Sequence, residues 1–390
     1  MYLSSIAMKI LMVSNDFLPN PGGVANHIAE LSKAMVKQGH EVTVLHFCYE
    51  KPEHFSEALA GVKIIRKQLA KNLADQQSNY AKITRYLTTI ILGSYHIRKT
   101  IKFWQPDVIH WHDFYHTSLA MWLIKFKGKK VLTNHASGYL EDYGKGILSQ
   151  LKLKLYAKPA DIVIAPSEEL LEKSLILNKP CHFIPNGVDA IRFNPAIIES
   201  KEWREKLPAN IKIIIAPRRL DPKNGLEHLI KAMPQIIKII PNVYLLIAGG
   251  GSTAEQKKLE TLAESLNVQM HYTITGNLPY EIMPNIMALA DVIVIPSLME
   301  AVSLAALEAL ALAKPVIASN IGGLPYVVDD EVGKLVPPAD PVALAAAIIE
   351  FLQNELLCKR KGQAGRIKIE KQFIWEQIAK QTLQEYCYES

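Results

Sequence analysis

Two glutamates eight residues apart, Glu300 and Glu308, stand where an apolar run gives way to an apolar helix. The segment is Pro296-Ser297-Leu298-Met299-Glu300-Ala301-Val302-Ser303-Leu304-Ala305-Ala306-Leu307-Glu308. Ser303 is placed to cap that helix, and the N–H groups of Val302 to Leu304 would then point at an anion. Glu308 has almost only apolar neighbours from Leu304 to Leu312, so it is no ordinary solvated residue and needs a partner. A carboxylate so placed can accept two hydrogen bonds from a ribose diol.

Cations follow another apolar run, in Arg218-Arg219-Leu220-Asp221-Pro222-Lys223-Asn224-Gly225. An arginine fork and a lysine point charge can neutralise a diphosphate without a metal, although such a loop also serves as a plain surface turn. Pro21-Gly22-Gly23-Val24 opens a helix, where bare N–H groups and the helix dipole can meet a phosphate; a Gly-Gly turn has a structural use too. Histidines end two further strands, in His110-Trp111-His112-Asp113 and Thr133-Asn134-His135-Ala136. Zinc ligation competes with a core role for them, but no HExxH pattern or cysteine pair supports a metal.

Strands alternate with helices along the whole chain, the pattern of parallel sheets wrapped by helices. Strands are predicted at 9–13, 41–47, 107–111, 130–133 and 161–165, then in a second series at 212–216, 243–248, 270–275, 292–295 and 315–318. Helices are predicted at 24–38, 226–240 and 254–266, with Gly39 ending the first in a left-handed conformation. The series join near 186–208, and the last helix, 373–386, is expected to return to the first domain.

The chain of 390 residues is longer than one core usually serves, so two α/β domains are expected. Its four cysteines are dispersed, which fits reduced thiols and a cytoplasmic setting. The net charge of +6 draws on basic stretches such as Lys125, Lys127, Lys129 and Lys130, and on Lys82, Arg85, Arg98, Lys99 and Lys102. No zinc finger or RNP-like motif supports a nucleic-acid partner, so either these are solvated faces or they meet anionic lipid or an anionic acceptor. In the stretch Lys145 to Lys158, Leu148, Leu151 and Leu155 share one helical face. Packing of that face on the first sheet is the favoured expectation, and peripheral contact with a membrane the alternative. A nicotinamide dehydrogenase is disfavoured, because Gly249-Gly250-Gly251 lacks the GxGxxG spacing.

Taken together, these residues resemble the family-4 retaining glycosyltransferases over nearly the whole length. The Glu-x7-Glu pattern at Glu300 and Glu308 continues into Lys314-Pro315-Val316-Ile317-Ala318-Ser319, Gly322-Gly323-Leu324-Pro325 and Gly333-Lys334-Leu335-Val336-Pro337. The resemblance implies the GT-B fold: a first Rossmann-like domain over 1–190 with a returning helix at 373–390, which binds the acceptor, and a second over 191–372, which binds the nucleotide sugar. It implies that Glu308 holds the donor ribose and Glu300 the transferred sugar. The Ala301, Val302, Ser303 and Leu304 backbone, Arg219, Lys223, Gly22 and Gly23 would serve the phosphates. Leu278 would border the base, His135 the transferred sugar, and His112 and Asp113 the acceptor.

Three departures stand out. Arg218 occupies the place of a usual glycine, Asn224 that of a lysine, and Glu300-Ala301-Val302-Ser303 replaces Glu-Gly-Phe-Gly. No Asp-x-Asp triplet is present, so the expected reaction is metal-independent transfer of a hexose or N-acetylhexosamine, from a UDP-sugar by preference, to a glycan or lipid-linked acceptor. Synthesis of cell-surface polysaccharide is the expected setting, and approach of the two domains is expected to complete the site. A nucleotide-sugar epimerase or a non-catalytic nucleotide-sugar sensor are the alternatives.

Overall fold

A computed structural model describes residues 7–19, 22–48, 51–52, 54, 56–69, 79–135, 137–198, 204–205, 210–300 and 303–387. The side chains of Lys82 and Arg85 lie outside that description, as do Pro21, Ala136, Ala301 and Val302. The chain divides into two compact units, Met1–Asn186 with Trp375–Ser390, and Gly187–Ile374.

The first unit holds an eight-stranded sheet. Its strands are β1 (Lys9–Ser14), β2 (Glu41–Cys48), β3 (Ser56–Leu59), β4 (Val62–Gln68), β5 (Val108–Trp111), β6 (Lys129–Thr133), β7 (Ile162–Ala165) and β8 (Cys181–Phe183). Their order is β3-β4-β2-β1-β5-β6-β7-β8, parallel throughout except for the β3–β4 hairpin at one edge. Residues 10–13 of β1 and all of β5 are buried, as strands covered by helices on both faces must be. The hairpin and β8 escape the sequence pattern because they lie at the sheet edges, where one-sided or short pairing leaves no long apolar run.

Helix Gly23–Lys37 ends at Gly39, whose φ of 89° is the left-handed value the sequence called for. The His40 N–H then bonds back to the Met35 carbonyl, satisfying a group the helix end leaves free. The last helix, Trp375–Tyr386, packs in this unit, with Trp375, Ile378, Ala379, Leu383 and Tyr386 in one core cluster with Ile28, Leu31 and Met35.

The second unit holds β9 (Lys212–Ala216), β10 (Val243–Ile247), β11 (Tyr272–Ile274), β12 (Val292–Ile295), β13 (Val316–Ser319) and β14 (Gly333–Val336). The six strands are all parallel, in the order β11-β10-β9-β12-β13-β14. Counted within the unit, this is the doubly wound order of dinucleotide-binding folds, which reverses between β9 and β12. The core sits on both faces of this sheet, one cluster around Ile214, Leu229 and Ile348 and the other around Ile215, Leu310 and Phe373. The strand expected at 270–275 begins instead with a turn of 3-10 helix at Gln269–His271, and only Tyr272–Ile274 pair.

Candidate functional site

In sheets of this order, ligands meet the loops at the carboxyl ends of the two strands that flank the reversal. In the second unit those loops follow β9 and β12, and a salt bridge joins them. Arg218 Nη2 lies 2.5 Å from Glu300 Oε2, with both side chains largely buried. The same nitrogen donates to Asn224 Oδ1 at 2.5 Å, Asn224 Nδ2 donates to the Arg219 carbonyl, and Ser297 Oγ donates to Glu300 Oε2 at 3.4 Å. Arg218 Nε is buried and has no hydrogen-bond partner among the described residues.

Close backbone approach fixes these loops. Gly225 has a φ of 67°, and a Cβ there would strike the Pro296 carbonyl; Gly322 has a φ of 58°, and a Cβ there would strike the Glu300 carbonyl. Only glycine tolerates both the conformation and the proximity. The Leu298 N–H also donates to the Lys223 carbonyl at 2.7 Å, which ties the β9 and β12 loops together.

Arg219 is exposed beside this pair. Lys223 is half-buried, and its ammonium stands 3.9 Å from Asp221. Ser303 accepts the Ala306 N–H at 3.3 Å and caps helix Leu304–Ala311, as its position leads one to expect. Leu278 packs against the second core cluster as a partly buried residue. Ala301 and Val302 lie outside the described residues.

Glu308 is buried inside that helix, and the partner its surroundings demand is Tyr280, whose hydroxyl donates to Oε1 at 2.7 Å. Burial raises its pKa to about 7, opposed by the tyrosine hydrogen bond and by the charge of Arg192. Arg192 lies over the Tyr280 ring, 5.1 Å from its centroid. Neither residue is legible as a partner from sequence, being 28 and 116 positions away from Glu308.

In the first unit the reversal falls between β1 and β5, and Asn15 Nδ2 bridges it to Asp113 Oδ2 at 2.6 Å. Asp113 also accepts the N–H groups of Tyr115 and Thr117 and the Thr117 hydroxyl, which shapes the start of the next helix. Gly22 begins helix Gly23–Lys37 and brings no side-chain cap of its own, and the Asp16 carboxylate lies close to it, 3.2 Å from where a Cβ on Gly22 would stand.

Four histidines gather beside this reversal. His112 Nδ1 and His135 Nε2 are 3.2 Å apart with rings stacked, and His110 lies 4.2 Å from His112 between centroids. His110 is tied to the hydroxyls of Tyr386 and Thr133, both at 2.7 Å. The fourth is His27, from helix Gly23–Lys37, whose ring is 4.5 Å from that of His135. Its Nδ1 is bonded to Asn186 at 2.8 Å, and its Nε2 is buried without a partner among the described residues.

The sequence pattern singled out His110, His112 and His135 but passed over His27, Asn186 and Tyr386. His27 lies mid-helix, on the face carrying Ile28 and Leu31, and that buried face was the available signal. Burial lowers the pKa of all four histidines, that of His27 to about 4, so each ring is neutral near pH 7. Nitrogens of His27, His112 and His135 all lie within 4.8 Å of one another, and neutral imidazoles are metal ligands, so this is where a cation could be held.

One expectation is overturned. The leucine face of helix Ile147–Ala157 points away from the sheet, and the helix packs instead through Leu153, Tyr156 and Ala157. Leu148 and Leu151, with Ile147, are thereby left in solvent.

Comparison with known proteins places these features in a family. The model of glycosyl transferases group 1 matches residues 198–368, and that of glycosyltransferase family 4 matches residues 21–192. A glycogen synthase of Mycobacterium tuberculosis is 30% identical over 408 residues, covering 97% of this chain and 94% of that protein. Among solved structures, a sucrose-phosphate synthase from Thermosynechococcus elongatus superposes with a TM-score of 0.82 at 26% identity, covering 97% of this chain and 98% of its own. Anabaena HepE, in complex with UDP and glucose, superposes at 0.75 with 19% identity, covering 98% of this chain and 100% of its own.

Proposed function

Because this chain belongs to the family-4, group 1 glycosyltransferases and has their GT-B class of fold, we propose that it transfers a sugar from a nucleotide diphosphate donor with retention of anomeric configuration and without a metal. The observation that carries this reading is the charged constellation at the second unit's reversal: the Arg218–Glu300 pair, exposed Arg219, and Glu308 buried behind the same loop.

In this reading Glu308 accepts hydrogen bonds from the ribose hydroxyls, Tyr280 holds it for that task, and Leu278 borders the base. Arg219, Lys223 and the first turn of helix Leu304–Ala311 offset charge on the diphosphate as it leaves. Glu300, fixed by Arg218 and Ser297, contacts the transferred sugar, and the free Arg218 Nε donates to a donor oxygen. The helix start at Gly22 and Gly23 adds to the phosphate cradle, His135 meets the transferred sugar, and His112 with Asp113 lines the acceptor side.

No carboxylate is assigned as a nucleophile, so the acceptor hydroxyl attacks from the leaving group's own face. The bond from the anomeric carbon to the diphosphate breaks, the bond to the acceptor oxygen forms, and the hydroxyl proton passes to the departing phosphate. UDP is the favoured carrier by analogy with the UDP held in Anabaena HepE, and the acceptor is a glycan or a lipid-linked sugar. We place the reaction in cell-surface polysaccharide synthesis on the cytoplasmic side.

A panel of UDP-, GDP- and ADP-sugars tests the reading through thermal stabilisation and slow donor hydrolysis. UDP-sugars should give the largest shift, and hydrolysis should release UDP. Stabilisation by none of them would refute it, while turnover to a new nucleotide sugar without any acceptor would establish an epimerase instead.

A further inference from the structure

Helix Ile147–Ala157 presents an apolar stripe to solvent: Ile147 is 77% exposed, Leu148 85%, Leu151 54% and Leu155 50%. With 3.6 residues per turn these four fall on one side, opposite the buried Leu153, Tyr156 and Ala157. Scattered exposed leucines are ordinary, but a contiguous stripe of large apolar side chains marks a surface that is covered in use.

The stripe is extended by a tryptophan and rimmed by cations. Trp122, 41% exposed, donates its indole N–H to the Leu155 carbonyl at 3.1 Å, and Lys158 lies over its ring at 5.0 Å. Lys152 flanks the stripe on one side and Lys154 and Lys158 on the other, and the helix itself contains no acidic residue. Against its lysine flank lies an open cavity of about 300 Å³, walled by Leu151, Leu155 and Leu177 and bordered by Lys154, Lys158 and Lys179.

A protein partner could cover the leucines, but the combination of an apolar stripe, an interfacial tryptophan and lysines on both flanks is that of a helix lying in the boundary of an anionic bilayer. The cavity's apolar walls and cationic rim match the head of an acidic phospholipid. Among the described residues no single helix is long and apolar enough to cross a membrane.

We propose that this face of the first unit docks on a bilayer of acidic phospholipid, with a lipid phosphate seated among Lys154, Lys158 and Lys179. The inference deepens the membrane-side acceptor of the proposed function and rests on that reading for its purpose, though not for its physical basis.

Co-sedimentation of the full chain with phosphatidylcholine vesicles, with and without phosphatidylglycerol, tests it. Binding should require phosphatidylglycerol. Lys154→Ala with Lys158→Ala should weaken it about thirtyfold, from the contribution of each lysine near a charged surface. Leu148→Ser with Leu151→Ser should weaken it at least about tenfold, from lost apolar burial. These side chains are exposed or half-exposed, so melting temperature and UDP binding should stay at the parent's values. Equal binding to neutral and anionic vesicles, no binding to either, or variants that sediment like the parent would overturn the proposal. Vesicle binding that persists while no nucleotide sugar is turned over would sink the proposed activity and leave the docking surface standing.

Discussion

At the reversal of the first sheet, burial holds His27, His110, His112 and His135 neutral; at that of the second, Arg218 and Glu300 meet as an ion pair, and burial pushes Glu308 up towards neutrality. Both sheets reverse in the same sense, each between its first strand and the strand that begins the second half. One topology has therefore produced a cluster of neutral rings in one unit and a charged, loop-knitted one in the other. What differs is what the loops carry. Neutral rings suit hydroxyl groups, which they can accept from and donate to, whereas guanidinium and ammonium groups suit phosphate oxygens.

The largest expected effect breaks the charged side of this contrast. Glu300→Gln should lower turnover about a hundred- to thousandfold, the range for losing one preorganised electrostatic contact to the reacting sugar, with UDP affinity little changed. Equal losses in turnover and UDP affinity would move Glu300 from the sugar to the nucleotide.

The neutral side should show in acid. A histidine held at about 4 in the fold and near 6.5 unfolded leaves the unfolded chain binding the extra proton, so stability is full above about 6.5 and falls as pH drops towards 4. His27 alone accounts for about 3 kcal/mol of that fall, at 1.36 kcal/mol per pKa unit. Denaturant titration across this window should show His27→Phe losing stability less steeply than the parent; parallel curves would mean that the ring is not held neutral by the fold.

Glu308 runs the opposite way. Its folded pKa of about 7 lies above its unfolded value of 4.5, so its contribution to stability is full below about 4.5 and is lost as pH rises through 7. If its carboxylate binds ribose, UDP affinity should rise with pH through about 7, and Glu308→Gln should weaken UDP binding by about 1 to 3 kcal/mol and flatten that dependence. Calorimetry at several pH values would measure both, and a pH-independent affinity equal to the parent's would remove Glu308 from the nucleotide site.

The smallest expected effect concerns the metal. Turnover should survive EDTA, because cations of the second unit are proposed to carry the leaving-group charge. Loss of activity in EDTA, restored by one metal and accompanied by a stoichiometric metal bound to His27, His112 and His135, would reverse the assignment of that cluster.

The charged site was the more legible of the two. Its residues cluster in two short stretches, 218–225 and 296–308, where strand-to-helix loops announce themselves by apolar runs on either side. Even there the pairing was hidden. Arg218 stood out only as a departure from a usual glycine, and nothing in its spacing said that it reaches Glu300, 82 positions later. The histidine cluster was half visible, since His112 and His135 end strands, while His27 sits on an ordinary amphipathic helix and Tyr386 at the far end of the chain. The leucines of helix Ile147–Ala157 misled, because periodicity reveals that a helix has an apolar side but not which neighbour covers it.

By itself the sequence determined the alternation of strands and helices, the division into two α/β units, and the identity of the residues at the strand ends. Those properties depend on local patterning, which repeats every two or every 3.6 residues along the chain. Only the tertiary structure decided which loops adjoin, that Tyr280 satisfies Glu308, that four imidazoles gather in one cluster, and that the leucine stripe faces water. Each of these is set by strand order and by close packing between residues far apart in the chain, and no local pattern records either.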